Sequence, residues 1–286
     1  MNVLAKKAYE FSFSRIFAGV GSIASIASVL WLIYEQYILK SDNLLPLIVA
    51  FFSTIILLVI CIYSVQIRQE NLLLKEIPHK IHQINHIYRD KLSEVFSRDH
   101  PIDNRDYLID TEESVLRSVC QRIEKIYSRM VGSDCLVTIK LIAEEEDGAR
   151  FAQTYVRSID DCDRDSRGYT KYTIGTGTNT AFDKALQIVN NGKLSCFFSS
   201  DLNKDLKENN YSNQRSEFSI YYRSAIVVPI RCTNYMNSTD DIGFLCVDSK
   251  SVNRLSSGYQ VELLAAFADQ MYNFMSLMRG KYHLTF

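Results

Sequence analysis

The sequence predicts an α+β chain: a transmembrane helical hairpin, a helical connector, and an antiparallel sheet with flanking helices. Three observations lead there. Residues 16–34 and 44–65 are uncharged apolar runs of 19 and 22 residues. The polar stretch after them keeps an apolar residue every three or four positions. Beyond residue 134, short β-rich runs separated by turn signals alternate with helical periods. The expected organisation is a cytoplasmic segment 1–15, a hairpin 16–67, a connector 68–103 and an α+β domain 104–286.

At about 1.5 Å rise per helical residue, each apolar run covers roughly 30 Å, the thickness of bilayer hydrocarbon. Residues 35–43 join them, too short for anything but a hairpin. Lys6, Lys7 and Arg15 precede the first run, and Arg68 and Lys75 follow the second, while the joining loop holds Lys40 among Glu35 and Asp42. That bias places both termini in the cytoplasm of a multi-pass plasma-membrane protein. Trp31, Tyr34 and Tyr37 gather at the outer end, and Pro46 falls in the first turn of the second helix. Residues 25–28 look like a signal-peptidase site, but the apolar run continues to Tyr34 and a second follows, which argues against cleavage. Eight of the eleven residues 18–28 are Gly, Ala or Ser, a texture that lets helices approach closely.

Net charge is −1, so no basic field points to nucleic acid as a partner. The seven cysteines are odd in number and form no C-x-x-C, which reads as reduced, packed thiols without a disulfide or zinc framework.

On the connector, Leu74, Ile77, Ile81, Ile84, Tyr88 and Val95 share one helical face. A narrow seam of this kind usually pairs with another helix, so a homodimer or higher homo-oligomer is expected. Pro78 should kink the helix or restart it. His79, His82 and His86 fall on the opposite face, where a solvated surface explains them better than a metal does, and no metal is assigned. Residues 98–105 are a polar break. A helix capped by Asp110 follows to about residue 130, then strands at 135–143 and 151–159. The carboxylates of residues 160–167 lack the glycine and terminal glutamate of a calcium loop.

Next come a Gly/Thr turn at 174–177, a helix ending at Gly192 and a short strand ending at Asp201. Apolar strands at 223–231 and 242–249 and an amphipathic helix 259–278 complete the chain. That order resembles a GAF domain over roughly residues 110–280. The likeness rests on the Gly192-Lys193 turn, the Phe197 to Asp201 strand end, the strands at 223–230 and 242–249, and Ala268-Asp269-Gln270 in the last helix. It implies an antiparallel sheet with helices on one face and a small-molecule pocket on the other. The family's cyclic-nucleotide signature is incomplete, since no Asp-Glu pair follows Asn203-Lys204. Bilin attachment would need a Cys-His pair that is absent, and His283 alone is left for haem. Cys162 and Cys196 lie near the pocket loops, but the clustered cysteines of free methionine sulfoxide reductases are missing.

The resemblance places Thr178, Asn179, Thr180, Ser199, Ser200, Asp201 and Arg223 at the ligand. Helix-opening hydroxyls and amide suit a polar or anionic group, and Arg223 suits a charged one. Each also has a local role open to it: capping, turn formation or a surface ion pair. No catalytic constellation is present, and the sequence names neither ligand nor cofactor. The expected function is a membrane-anchored, non-enzymatic sensor, with the lipid bilayer and an unidentified small molecule, a nucleotide among the candidates, as partners. A nucleotide-gated pore-forming effector of a bacterial defence system is the alternative, because no output segment is seen before Phe286.

Overall fold

The computed structural model describes residues 28, 31, 35, 45–97, 105–159, 170–187, 195–233 and 239–282. The chain divides into two compact units, Met1–Leu74 and Lys75–Phe286. Helix α1 is Leu45–Val95, and Pro78 lies inside it without ending it. Then follow α2 (Arg105–Val131), β1 (Cys135–Glu144), β2 (Arg150–Arg157), β3 (Lys171–Thr173) and α3 (Thr180–Leu186). The chain continues through β4 (Phe197–Ser199), α4 (Leu202–Lys207), α5 (Phe218–Tyr221), β5 (Ser224–Thr233), β6 (Thr239–Ser249) and α6 (Tyr259–Tyr282).

In the first unit the expected membrane placement is corrected. Among the described residues no helix is long and apolar enough to cross a membrane. The multi-pass plasma-membrane location, with both termini cytoplasmic, falls with it. Within α1 the stretch 51–64 is apolar and largely exposed, with Phe51 and Phe52 about three-fifths accessible. The first expected span, residues 16–34, lies outside the described residues apart from Ser28 and the exposed Trp31.

The second unit is a six-stranded, wholly antiparallel sheet of order β3-β2-β1-β6-β5-β4. With its helices it makes the α+β, GAF-like arrangement that the resemblance implied. Alternation along the strands sorts residues to two faces. Val137, Ile139 and Leu141 of β1, Ile226, Val228 and Ile230 of β5, and Leu245 and Val247 of β6 are buried against α2, α6 and the C-terminal part of α1. Pro229 is tolerated in β5 because β4 pairs only with residues 225–227 and stops short of it.

The connector seam joins this core. Ile84 and Val95 are fully buried and Ile77 nearly so, and the Tyr88 ring stacks on Phe274 of α6 at 4.8 Å. Gln83 accepts a hydrogen bond from Arg122 of α2 at 3.1 Å, and Arg129 pairs with Glu76. The seam therefore faces its own chain. Asp110, expected to cap α2, lies inside that helix, which begins at Arg105. Between α2 and α6, the Glu112 carboxylate lies 3.5 Å from Arg279, both nearly buried. Burial pushes the Glu112 carboxyl above its usual range, and the neighbouring guanidinium partly offsets this.

Candidate functional site

The other sheet face presents Leu136, Thr138 and Lys140 of β1, Ala225 and Val227 of β5, and Cys246 and Asp248 of β6 to a cavity of about 70 Å³. Tyr172, Asn179, Phe182, Phe197, Tyr211, Ser212, Asn213 and Tyr222 close it from above and from the sides. The walls are largely aromatic. The Phe182 ring packs on Phe244 at 4.8 Å and on Tyr172 at 5.7 Å, and Phe197 stacks on Tyr211 at 5.5 Å. These residues and their neighbours form a second hydrophobic cluster, separate from the one under the helices.

A β-bulge arms this face. Pairing of β1 with β2 slips between Ile139 and Lys140, so that Thr138 faces Arg157 while Lys140 faces Thr154, leaving Tyr155 as the extra residue. Without the slip, Arg157 and Thr154 would point to opposite faces; with it, both look into the cavity side. Their heads converge. Lys140 Nζ donates to Thr154 Oγ1 at 2.8 Å, and an Arg157 NH2 group donates to the same oxygen at 3.3 Å. Lys140 Nζ also lies 4.4 Å above the centre of the Tyr172 ring.

Opposite the cations lie the phenols. Asn213 Nδ2 donates to the hydroxyl oxygens of Tyr211 at 2.6 Å and Tyr222 at 2.9 Å. Burial pushes the Tyr211 phenol up to about 12 and raises that of Tyr222 well above its ordinary value. Burial also pushes the Cys246 thiol up to about 12. At neutral pH it is a thiol, not a nucleophilic thiolate.

The roof is a polar clasp between the segment 173–184 and the loop 210–214. The Asn179 carboxamide donates to Thr173 O at 2.9 Å and to Gln214 Oε1 at 3.2 Å, and accepts from Gln214 N at 3.0 Å. Thr180 Oγ1 accepts from Ser212 N at 2.8 Å, and the Ser212 hydroxyl donates to Gly177 O at 2.7 Å. The Gly/Thr turn has φ of +83° at Gly175 and +74° at Gly177, which glycine adopts without strain. Both amides point at one carboxylate: Gly175 N donates to Asp183 Oδ1 at 2.6 Å and Gly177 N to Asp183 Oδ2 at 2.9 Å. The anion that this turn attracts is thus the chain's own. Asp183→Ala should cost about 1–2 kcal/mol of stability and speed hydrogen exchange at the Gly175 and Gly177 amides. Unchanged exchange there would show that the carboxylate does not hold the turn.

Of the residues singled out from sequence, Asn179 lines the cavity. Thr178 is exposed and bonds Thr176, and Thr180 belongs to the clasp. The buried Ser199 hydroxyl donates to Asp205, and Ser200 O accepts from Asn253 N at 2.8 Å. Asp201 caps α4, accepting from Asn203 N and Lys204 N. The Arg223 side chain is exposed, while its backbone N–H bonds Ser249 O at 2.8 Å. The cavity's charged residues, Lys140, Arg157 and Asp248, were not singled out. Thr138 and Lys140 alternate with Val137, Ile139 and Leu141, which marks a polar side of β1 but does not tell a cavity from water. Cys196 is half-buried outside the cavity lining, and Cys162 lies outside the described residues. Among the described residues no group of three or more His, Cys, Asp or Glu is placed to hold a metal.

No protein-family model matches the chain, and no curated protein does. Solved structures do. The chain is similar to a type II free methionine-R-sulfoxide reductase from Thermoplasma acidophilum, at 17% identity over 59% of this chain and 95% of that one, TM-score 0.39. It is similar to part of a methyl-accepting chemotaxis protein, at 11% identity over 62% and 99%, TM-score 0.42. A GAF domain from a phosphoenolpyruvate-protein phosphotransferase of Coxiella burnetii matches at 11% identity over 70% and 97%, TM-score 0.39. These likenesses concern chain arrangement and say nothing of activity or ligand.

Proposed function

We propose that the chain is a small-molecule sensor whose ligand enters the cavity over β1, β5 and β6, binding without chemical change. One observation carries this. The strands that floor the cavity are the same strands that carry the helices. Ala225 and Val227 face the ligand side, while Ile226 and Val228, between and beside them, lie in the core under α6. A floor strand that adjusts to a ligand must repack that core, because close-packed interiors transmit small shifts. Helices α1, α2 and α6 are the elements that would report it, whether to a second copy of the chain or to another protein.

Binding is favoured over catalysis because the cavity thiol, Cys246, is held un-ionised by its surroundings. Size narrows the ligand. A cavity of about 70 Å³ lies well below the roughly 300–1,000 Å³ that holds drug-sized molecules. A nucleotide would require the clasp to open. The test is to purify the full chain without dialysis, denature it, and identify released small molecules by mass spectrometry. A stoichiometric molecule is expected from the wild type and none from Ala225→Leu, which fills the floor. Equal release from both would sink the assignment of this cavity, and none from either the sensor reading itself.

A further inference from the structure

Spacing alone assigns no metal to the histidines of α1, but their side-chain geometry sets two of them apart. His82 is exposed and His86 half-buried, one helical turn from each other and away from the buried Ile84 and Tyr88. Residues four apart on a helix have Cβ atoms about 5–6 Å apart. The two ring centres are 4.3 Å apart, and the two Nε2 atoms 2.8 Å apart. Separation shrinks from the helix to the ring tips, so both Nε2 atoms lean toward one point outside the helix. An ion about 2.0–2.1 Å from each, the usual distance for imidazole, would see them at an angle of about 84–89°. That is the cis angle of a square-planar or octahedral ion, whereas a tetrahedral ion such as zinc needs about 109°.

The hydrogen bonds fix the protons. A guanidinium only donates, so His86 Nδ1 accepts from an Arg89 NH2 group at 2.6 Å. Neutral His86 then carries its proton on Nε2 and donates it to His82 Nε2. An ion on both Nε2 atoms takes the place of that proton, which moves to His86 Nδ1 and there faces Arg89. Arg89 must turn away, and it can, because its Nε separately donates to Asp90 Oδ1 at 3.1 Å. His79 is held differently. Gln83 Oε1 accepts from Arg122 of α2, so the amide nitrogen of Gln83 donates to His79 Nε2 at 2.9 Å. We propose that His82 and His86 chelate one divalent transition-metal ion of tetragonal preference, copper(II) or nickel(II), with water in its remaining positions. The chelate lies one turn beyond Pro78, whose missing N–H leaves this part of α1 a hydrogen bond short. It fixes the turn that presents Gln83 to α2 and Ile84 to the core, so the ion strengthens the docking of α1. The site is separate from the cavity and does not depend on the sensor reading.

Calorimetric titration of the full chain with nickel(II), which thiols do not reduce, tests this. His82→Gln and His86→Gln should each weaken nickel binding at least tenfold, because a single imidazole remains. His79→Gln should leave it unchanged, and Arg89→Gln should tighten it at least threefold. His82→Gln should cost zinc(II) less than it costs nickel(II). Melting curves check that each variant folds, and His82→Gln, at an exposed position, decides alone if His86→Gln does not. No nickel binding by the wild type, no loss in His82→Gln, or an equal loss in all three histidine variants would each overturn the chelate. An equal or larger loss for zinc(II) would overturn its tetragonal geometry, and unchanged affinity in Arg89→Gln its placement of the proton.

Discussion

Replacing Ile84 with Asp should remove a large part of the stability of the second unit, about 4 kcal/mol or more. Ile84 is fully buried, packed with α2 and α6 in the core beneath the sheet. Deleting a buried aliphatic side chain alone costs about 2–5 kcal/mol, and a carboxylate in its place must either ionise in an apolar site or stay protonated at a further cost. Domains are typically stable by only about 5–15 kcal/mol. Ile81, one turn away and half-buried, provides the comparison. Ile81→Asp should cost about 1–2 kcal/mol, because its side chain keeps access to water. Denaturant unfolding of the full chain reads both. If the seam instead faced a partner, the two substitutions would lower the association constant about equally and leave the unfolding midpoint in place. That outcome would refute the packing of α1 seen here.

The same residue shows what sequence could and could not say. The period of the α1 seam was legible, since Ile77, Ile84, Tyr88 and Val95 recur on one face whatever covers them. What covers them was not, because a period states that a face is buried and leaves its partner open. The floor strands and α6 were legible for a related reason: strict alternation or a helical period marks an apolar face under a close-packed layer. The cavity was the hard part. A strand residue that points into a polar cavity has the same position and residue type as one that points into water. Nothing in the sequence therefore marks Lys140, Arg157 or Asp248 as lining a cavity. The loop that supplies Tyr211, Ser212 and Asn213 has no period at all. Asp201 and Thr180 were legible as polar residues at element ends, yet their oxygens serve the backbone and the clasp around them. Polar residues at helix starts satisfy local donors first, and a ligand competes with that use.

Gly243→Ala should destabilise the chain by about 3 kcal/mol and weaken ligand binding together. Gly243 sits in β6 opposite Leu141 of β1 and Ile230 of β5, beside the point where the β5 register slips. A methyl group built on it would lie 2.1 Å from the carbonyl oxygen of Lys140, an overlap that no side-chain rotation relieves because the obstacle is backbone. Alanine stiffens the unfolded chain, which favours folding by about 0.4–1 kcal/mol. Overpacking a close-fitting interior costs about 1–3 kcal/mol and more where backbone must move, so the loss wins. Relief requires β1 to shift at Lys140, the residue whose ammonium meets Thr154 and stands over Tyr172 in the cavity. Ligand affinity should therefore fall even under conditions where the variant is fully folded. Glycine at this position thus couples close approach of the two central strands to the placement of a cavity cation. Urea unfolding and ligand titration of the same preparation separate the two effects. A variant within about 1 kcal/mol of wild type would mean that β1 and β6 do not approach as closely as this. Full stability loss with unchanged affinity would mean that Lys140 takes no part in binding.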